Sequence, residues 1–421
     1  MFKYFLLLIS LFNLGNAFSS VNNLKYSLLM NYDRDNIPKQ NGPMNLTLEM
    51  VLSSVNNIDH LDGIISYNLW LRYYWNDYRL RWNQSTYNVS QITFNSDPLY
   101  ETSVWTPDII LYNDANIDSN NLKYTRVMVE SNGNVFWSRP GSINSICDFD
   151  LEYYPYDRQT CLLKFGSWTY SENDLVLNQR KYDIDLTYYK ENEEWELLDT
   201  TSQTNLMKYS CCSESFYDIT FTINFKRIPE YYETHILFPA FAISFLNIIS
   251  IFIPWDSGER ISFAITVMLS IIVFLLLVSD NLPRTEQNPL LSRIITVLTI
   301  FSFTCLIYIV LLSRLNDYRQ KEIEEKKNHN INNKIVKFFY NFFKKIKYIN
   351  DDEIKNYEIN SEESDHTRPV SYYNAVNRDN RFEIVNNNFL KIIKALNIFY
   401  LIFFVSFFIS ICIYLEASSN I

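Results

Sequence analysis

The stretch ISFAITVMLSIIVFLLLVS, from Ile261 to Ser279, runs for 19 residues without a charge. As a helix rising about 1.5 Å per residue it reaches about 28 Å, close to the ~30 Å hydrocarbon core of a bilayer. Glu259 and Asp280 stand just outside its ends. Working outward, Ile236–Pro254 and Ile294–Leu312 are also uncharged over 19 residues, and Ala395–Leu415 makes a fourth run of 21. Four such runs in one chain fit a membrane domain far better than a buried helical bundle. The short gaps between the first three read as tight connections between spans.

N-terminal to these runs the pattern is different. Met1 to Ala17 carries Lys3, the apolar run Phe5 to Phe12 and then small residues, which reads as a signal peptide over 1–17. Residues 18–230 hold no long apolar run. Short β-rich segments alternate there with turns: Asn45–Leu52, Ile65–Trp75, Arg126–Val129, Val135–Ser138, Asp183–Tyr189 and Ile219–Arg227. Several alternate polar and apolar residues, the period of half-buried strands, and so predict an Ig-like β-sandwich. Asn45, Asn83 and Asn88 each open an Asn-X-Ser/Thr triplet in this exported segment and are candidate glycosylation sites.

After the third run, Ser313–Asn350 holds 10 basic and 4 acidic residues, which places it on the cytosolic side. Within it Lys334–Tyr348 reads as an amphipathic helix on the membrane surface, and the stretch around Asn360–Asn380 reads as disordered. The expected order is an extracellular sandwich over 18–230, spans within 231–312, a partly disordered cytoplasmic segment over 313–390, a fourth span at 395–415 and an extracellular tail at 416–421.

Composition narrows the function. The chain has 421 residues, 7 of them Gly, 4 His, and a net charge of −10. Few glycines argue against glycine-rich nucleotide folds, few histidines against a His-rich metal centre, and the acidic balance against nucleic acid as a partner. No metal, nucleotide or nucleophile motif appears, so neither a cofactor nor an enzymatic reaction is expected. The segment 18–230 alone carries 28 acidic and 17 basic residues, a field that gathers cations.

Six cysteines divide by compartment. Cys305 and Cys412 lie inside spans and read as apolar thiols; the other four are in the exported segment, where disulfides persist. Cys147 and Cys161 bound CDFDLEYYPYDRQTC, and Cys211 and Cys212 are adjacent. The 13-residue loop, with Tyr154-Pro155-Tyr156-Asp157 near its end, resembles the signature of the Cys-loop pentameric ligand-gated ion channels. The adjacent pair resembles the vicinal cysteines of α-type nicotinic acetylcholine receptor subunits. That resemblance implies disulfides Cys147–Cys161 and Cys211–Cys212, the second necessarily strained because neighbouring Cα atoms are only ~3.8 Å apart. It also implies the overall fold: an extracellular ligand-binding β-sandwich followed by an all-α four-helix transmembrane domain.

The family's agonist site is an aromatic cage, suited to a quaternary ammonium that has no hydrogen to donate. By resemblance, WTPDIILY (Trp105–Tyr112) supplies Tyr112, with Asp108 bracing the loop. GSWTY (Gly166–Tyr170) supplies Trp168 as the main cation–π platform. Tyr209 precedes the Cys211–Cys212 pair, and the last ring is either Phe216 or Tyr217. On the complementary face NLWLRYYW (Asn68–Trp75) supplies Trp70, with Met128 and Phe136 as weaker candidates and Trp75 as a structural residue. Lys164 and Asp218 match a pair that exchanges partners on activation. Glu172, four residues past Trp168, is expected to add negative potential near the cation.

The pore reading starts from spacing. Glu259, Ser262, Thr266, Leu269, Val273, Leu276 and Asp280 follow one another at 3, 4, 3, 4, 3 and 4 residues and so share one helix face. Five copies about an axis give two acidic rings, a hydroxyl-lined inner half and an apolar constriction, the composition of a cation pore that gates by dewetting. The stretch also resembles the nicotinic pore motif. Coupling is then expected among the Cys loop, Arg227 and Pro283. The implied partners are acetylcholine or a related cationic agonist, homologous subunits in a homo- or hetero-pentamer, membrane lipid and permeant cations, at the postsynaptic plasma membrane. Three other readings stay open: a channel gated by another amine, an accessory subunit without a working site, and a polytopic transporter or enzyme.

Overall fold

The computed structural model describes residues 21–116, 122–254, 258–280, 288–327 and 370–419. The signal peptide, the surface helix expected at Lys334–Tyr348 and Pro283 lie outside the described residues. Two compact units emerge: the described residues up to Tyr231 together with 288–290 form the first, and the remaining described residues from Tyr232 onward form the second.

The first unit is the expected sandwich. Its large sheet joins six strands in the order β3 (Gln91–Phe94), β5 (Val127–Glu130), β6 (Asn134–Ile146), β2 (Ile64–Asn76), β1 (Met44–Asp59) and β8 (Leu175–Gln179). The second sheet orders β4 (Ile109–Leu111), β7 (Arg158–Ser167), β10 (Ser215–Arg227) and β9 (Trp195–Lys208). Strand β2 shows why the sequence pairs this way. Leu69, Leu71, Tyr73 and Trp75 are buried while Trp70, Arg72 and Tyr74 between them are half-exposed. A slip of one residue would exchange those two sets, so burial fixes the register. Between the sheets Trp137, Phe165, Phe221 and Phe225 are almost fully buried, and Tyr73 packs on Trp137 with centroids 5.0 Å apart. The β5–β6 turn needs Gly133: its φ is +84°, and a Cβ there would meet the Asp77 carbonyl at 2.6 Å.

Two differences from the sequence reading have physical causes. A helix, α1 (21–29), opens the described chain and buries Leu24 in the sandwich core. Asp183–Tyr189 is not a strand; only Asp185 bridges to Val51. The Asp185 carboxylate accepts from Thr187 N at 3.0 Å and from its hydroxyl at 2.6 Å, and this Asx turn bends the chain out of extension.

The second unit consists of α2 (Phe238–Phe252), α3 (Glu259–Ser279), α4 (Leu290–Lys327) and α5 (Val370–Ser419). Among the described residues, four stretches are long and apolar enough to cross a membrane: Glu230–Phe252, Glu259–Ser279, Leu290–Lys321 and Ile393–Ser418. Aromatic contacts tie α4 to α5: Phe301 lies 4.5 Å from Phe404, and Tyr308 stacks on Tyr400 at 4.7 Å. Neutral bonds, one buried and one partly buried, complete the packing. Asn247 donates to the Ser302 hydroxyl at 2.8 Å, and Tyr308 donates to Asn397 at 2.6 Å. The backbone is helical from Val370, so the second half of the stretch expected to be disordered, 370–380, is helix continuous with the last span. No Gly or Pro interrupts residues 370–419, so nothing breaks the helix at the end of the apolar run.

Candidate functional site

The principal-face residues are positioned by the small sheet. Tyr112 follows β4 and lies over β7, where its hydroxyl donates to the Ser167 carbonyl at 2.7 Å. Gly166 makes this approach possible, because a Cβ there would sit 2.3 Å from the Tyr112 oxygen. Asp108 braces the next loop as expected: it accepts from Ser167 Oγ at 2.6 Å and from Thr169 N at 2.8 Å. Between these two anchors Trp168 is held outward, 73 % exposed. Tyr209 meets Tyr112 edge-on at 6.4 Å and Phe216 at 6.2 Å.

Strand parity separates Phe216 from Tyr217. Ile219, Phe221, Ile223 and Phe225 fill the core, so Tyr217 shares their face and packs there. Phe216 faces the other way, onto Tyr209. The sequence carries this signal, since counting back by twos from Phe225 reaches Tyr217.

Lys164 and Asp218 form an ion pair at 3.1 Å beneath the rings. Partial burial pulls the Lys164 pKa down, but the bond and charge of Asp218, with Tyr209 beside it, outweigh this and raise it. Burial, reinforced by Tyr209, Asp218 and Asp108, raises the Tyr112 phenol, so it stays a donor at any ordinary pH. Asn205 completes the set by donating to Asp218 at 2.9 Å, a partner missed in the sequence because it comes from β9. Glu172 ties the Trp168 loop to the start of β10: its N–H donates to the Ser215 carbonyl at 2.8 Å, and its carboxylate lies 3.4 Å from Ser215 N.

Cys147–Cys161 is a disulfide with Cα atoms 5.4 Å apart, and the adjacent Cys211 and Cys212 are exposed with their sulfurs 2.6 Å apart. Neighbouring residues bring their Cα atoms closer than the 4.4–6.8 Å of ordinary disulfides, so a bond would demand a distorted link between them.

The complementary-face candidates lie together on the large sheet. Trp70 and Tyr74 project from one face of β2; Phe136 pairs with both Tyr74 and Met128, its ring 5.1 Å from Tyr74. Trp75 points inward against Trp105 at 5.9 Å, the structural role expected of it. Arg72, Tyr74, Arg180 and Tyr188 also belong to this face and were missed; the alternation of β2 is the signal that names the first two.

At the base of the sandwich Arg227 is fully buried. It bonds Asp157 of the Cys loop at 2.8 Å and Glu194 at 2.8 Å, and its guanidinium lies 4.1 Å from the Trp195 centroid and 4.7 Å from that of Tyr154. Asn45, Asn83 and Asn88 are all exposed, as glycosylation requires. In α3 the buried residues are Arg260, Ala264, Val267, Ile271 and Val278. All seven stripe residues, Glu259 to Asp280, are exposed on the faces that the bundle leaves uncovered.

Two family models match: the neurotransmitter-gated ion-channel ligand binding domain over residues 21–229 and the neurotransmitter-gated ion-channel transmembrane region over 236–395. Their junction falls where the sandwich gives way to the helices. The chain belongs to the neurotransmitter-gated ion-channel family. Among similar proteins, the human neuronal acetylcholine receptor subunit alpha-6 is 34 % identical over 266 residues, 62 % of this chain and 53 % of that subunit. Subunit alpha-9-II of Oncorhynchus mykiss is 36 % identical over 250 residues, 59 % and 45 % of the two chains. Human subunit alpha-3 is 33 % identical over 299 residues, 70 % and 58 %. The chain spans about half the length of the curated relatives it matches. It is a multi-pass membrane protein of a family of ion channels rather than enzymes.

Proposed function

We propose that the chain is an α-type subunit of an acetylcholine-gated cation channel. The observation that carries this reading is the principal-face cluster. Trp168 stands open to solvent, while Tyr112, Tyr209 and Phe216 are in ring contact and Asp108 and Asp218 lie behind them. Electron-rich ring faces backed by carboxylates suit a cation that cannot donate hydrogen bonds. Phe216 brings a ring without a hydroxyl, so the cage offers one fewer polar contact and favours quaternary ammonium over agonists that need an acceptor there.

Gating transfers the binding energy to α3. Agonist draws the Cys211–Cys212 loop inward, Tyr209 takes Lys164 from Asp218, and the Cys loop with Arg227 passes the shift toward the membrane. Pro283 joins this route. The stripe Glu259, Ser262, Thr266, Leu269, Val273, Leu276 and Asp280 lines the pore, with the acids selecting cations and the branched residues forming the gate. Assembly is pentameric, in the plasma membrane, with the sandwich outside, where Asn45, Asn83 and Asn88 carry glycans.

Voltage clamp of cells expressing the chain, alone and with homologous non-α subunits, tests the reading. Acetylcholine is expected to evoke a current whose reversal follows sodium and potassium, and Glu259→Lys to weaken that selectivity. A reversal that tracks chloride would overturn cation selectivity. A current that survives Trp168→Ala unchanged would remove the cage.

A further inference from the structure

Tyr32, just after α1, is tied to a loop that begins 73 positions later. Its ring is half-buried against the sandwich core. Its hydroxyl donates to Asp77 Oδ2 at 2.7 Å and accepts from Arg79 Nη2 at 3.1 Å and from the Trp105 backbone N–H at 3.0 Å. A phenol has one proton and two lone pairs, so this hydroxyl is fully used. Burial, reinforced by Asp77, raises the Tyr32 pKa well above the ordinary phenol value, which keeps that proton on the oxygen and aimed at Asp77. Asp77 is completely buried. Arg79 fixes it through two bonds of 2.9 Å and donates to the Asp33 and Asn36 carbonyls at 2.7 and 2.9 Å.

Trp105 passes this anchor on. It opens WTPDIILY, and Pro107, whose ring fixes φ, stiffens the short step to Asp108. Asp108 in turn holds Ser167 Oγ and Thr169 N, on either side of Trp168. The Trp105 ring is buried between Trp75, at 5.9 Å, and Tyr170, at 6.3 Å, and Tyr170 N donates to Ser167 Oγ at 2.8 Å. Backbone and ring of one residue therefore reach the Trp168 loop by two routes. Removing the Tyr32 hydroxyl takes the acceptor from the Trp105 N–H and a donor from buried Asp77.

We propose that Tyr32 is a positioning residue of the agonist site: through the backbone of Trp105 it sets where Asp108 holds the Trp168 loop. This rests on the agonist site proposed above. The segment 32–36, which lies outside the cage, then belongs to the binding machinery as the strut on which the WTPDIILY loop is hung.

Two measurements on Tyr32→Phe in the full-length chain test this. Hydrogen exchange of the detergent-solubilised chain is expected to speed about threefold or more in peptides covering 104–112 and 166–170, both distant from Tyr32 in the chain. Saturation binding of radiolabelled acetylcholine is measured on surface receptors formed with a homologous subunit lacking adjacent cysteines. Its affinity per site is expected to weaken about three- to tenfold. Arg79→Lys keeps a charge beside Asp77 but gives up the fork that reaches the Tyr32 hydroxyl. It is expected to move both readouts the same way by less, and it carries the test if Tyr32→Phe fails to fold. Unchanged affinity per site overturns the proposal, whether or not the number of sites falls, because a folding residue lowers only the number. Exchange that quickens around Tyr32 but not over 166–170 overturns the route through Trp105. Trp168→Ala reports separately on the underlying reading: binding that survives it removes the cage, while hydrogen exchange, which needs no agonist, still decides whether Tyr32 positions the Trp168 loop.

Discussion

The sandwich and the helical unit bury their polar groups by opposite means. The sandwich uses charge: Arg227 with Asp157, Lys164 with Asp218 and Arg79 with Asp77, each carboxylate almost fully buried. The helical unit uses neutral bonds: Asn247 to Ser302 and Tyr308 to Asn397. Arg260, in the first turn of α3, is the only buried charge of that unit among the described residues. The difference follows from the solvent each unit folds against. Charges near water keep part of their solvation, as Lys164 and Glu194 do, whereas charges facing hydrocarbon lose it. Breaking a buried ion pair from one side strands a charge and costs about 3–5 kcal/mol; breaking a buried neutral bond costs less, about 1–3 kcal/mol.

The sharpest way to break this contrast is Arg227→Met. It leaves Asp157 buried without its main partner and is expected to cost about 3–5 kcal/mol, enough to abolish surface expression. Normal amounts of protein at the cell surface would show that the pair is dispensable. Next in size is Trp168→Ala, which leaves both packing schemes intact and removes only an exposed ring. The concentration of acetylcholine needed for half-maximal current is expected to rise about 30-fold, with surface expression unchanged. Lost expression instead would make Trp168 a folding residue.

Asn247→Leu probes the neutral scheme directly. It removes one buried bond at similar volume and is expected to cost about 1–2 kcal/mol in thermal unfolding of the detergent-solubilised chain. A loss as large as that of Arg227→Met would erase the distinction between the units. The smallest effect is in pH. Lys164 and Tyr112 both have raised pKa values in the folded chain, so the folded state holds protons that the unfolded state releases first. Their contributions are fully present below the ordinary lysine and tyrosine range, about pH 10, and fade as pH rises through the raised values. Lys164→Met and Tyr112→Phe should each flatten the alkaline decline of the unfolding temperature. A decline of unchanged slope would mean that neither group is linked to folding.

Much of this was legible in the residues alone. Four apolar runs set four spans because the thickness of a bilayer converts directly into a residue count. Period-two alternation over Ile65–Trp75 set a strand and its buried face, and the 3–4 spacing from Glu259 to Asp280 set one face of a helix. Strand parity also separated Phe216, two residues from Asp218, from Tyr217 in the core-facing series ending at Phe225. These are local properties, fixed by the geometry of the backbone and by which atoms water rejects.

Tertiary structure decided the rest, because it depends on which distant segments meet. Asp185 bends its own segment and then reaches Arg72, which is why Asp183–Tyr189 is a turn rather than a strand. Asn205 finds Asp218, and Glu194 finds Arg227, only through the pairing and packing of β9 with its neighbours. The same NLWLRYYW motif that places Trp70 on the surface says nothing about Arg180 or Tyr188, which arrive from residues more than a hundred positions later. Composition shows how many cations a chain has; only the fold shows which aromatic rings they already occupy.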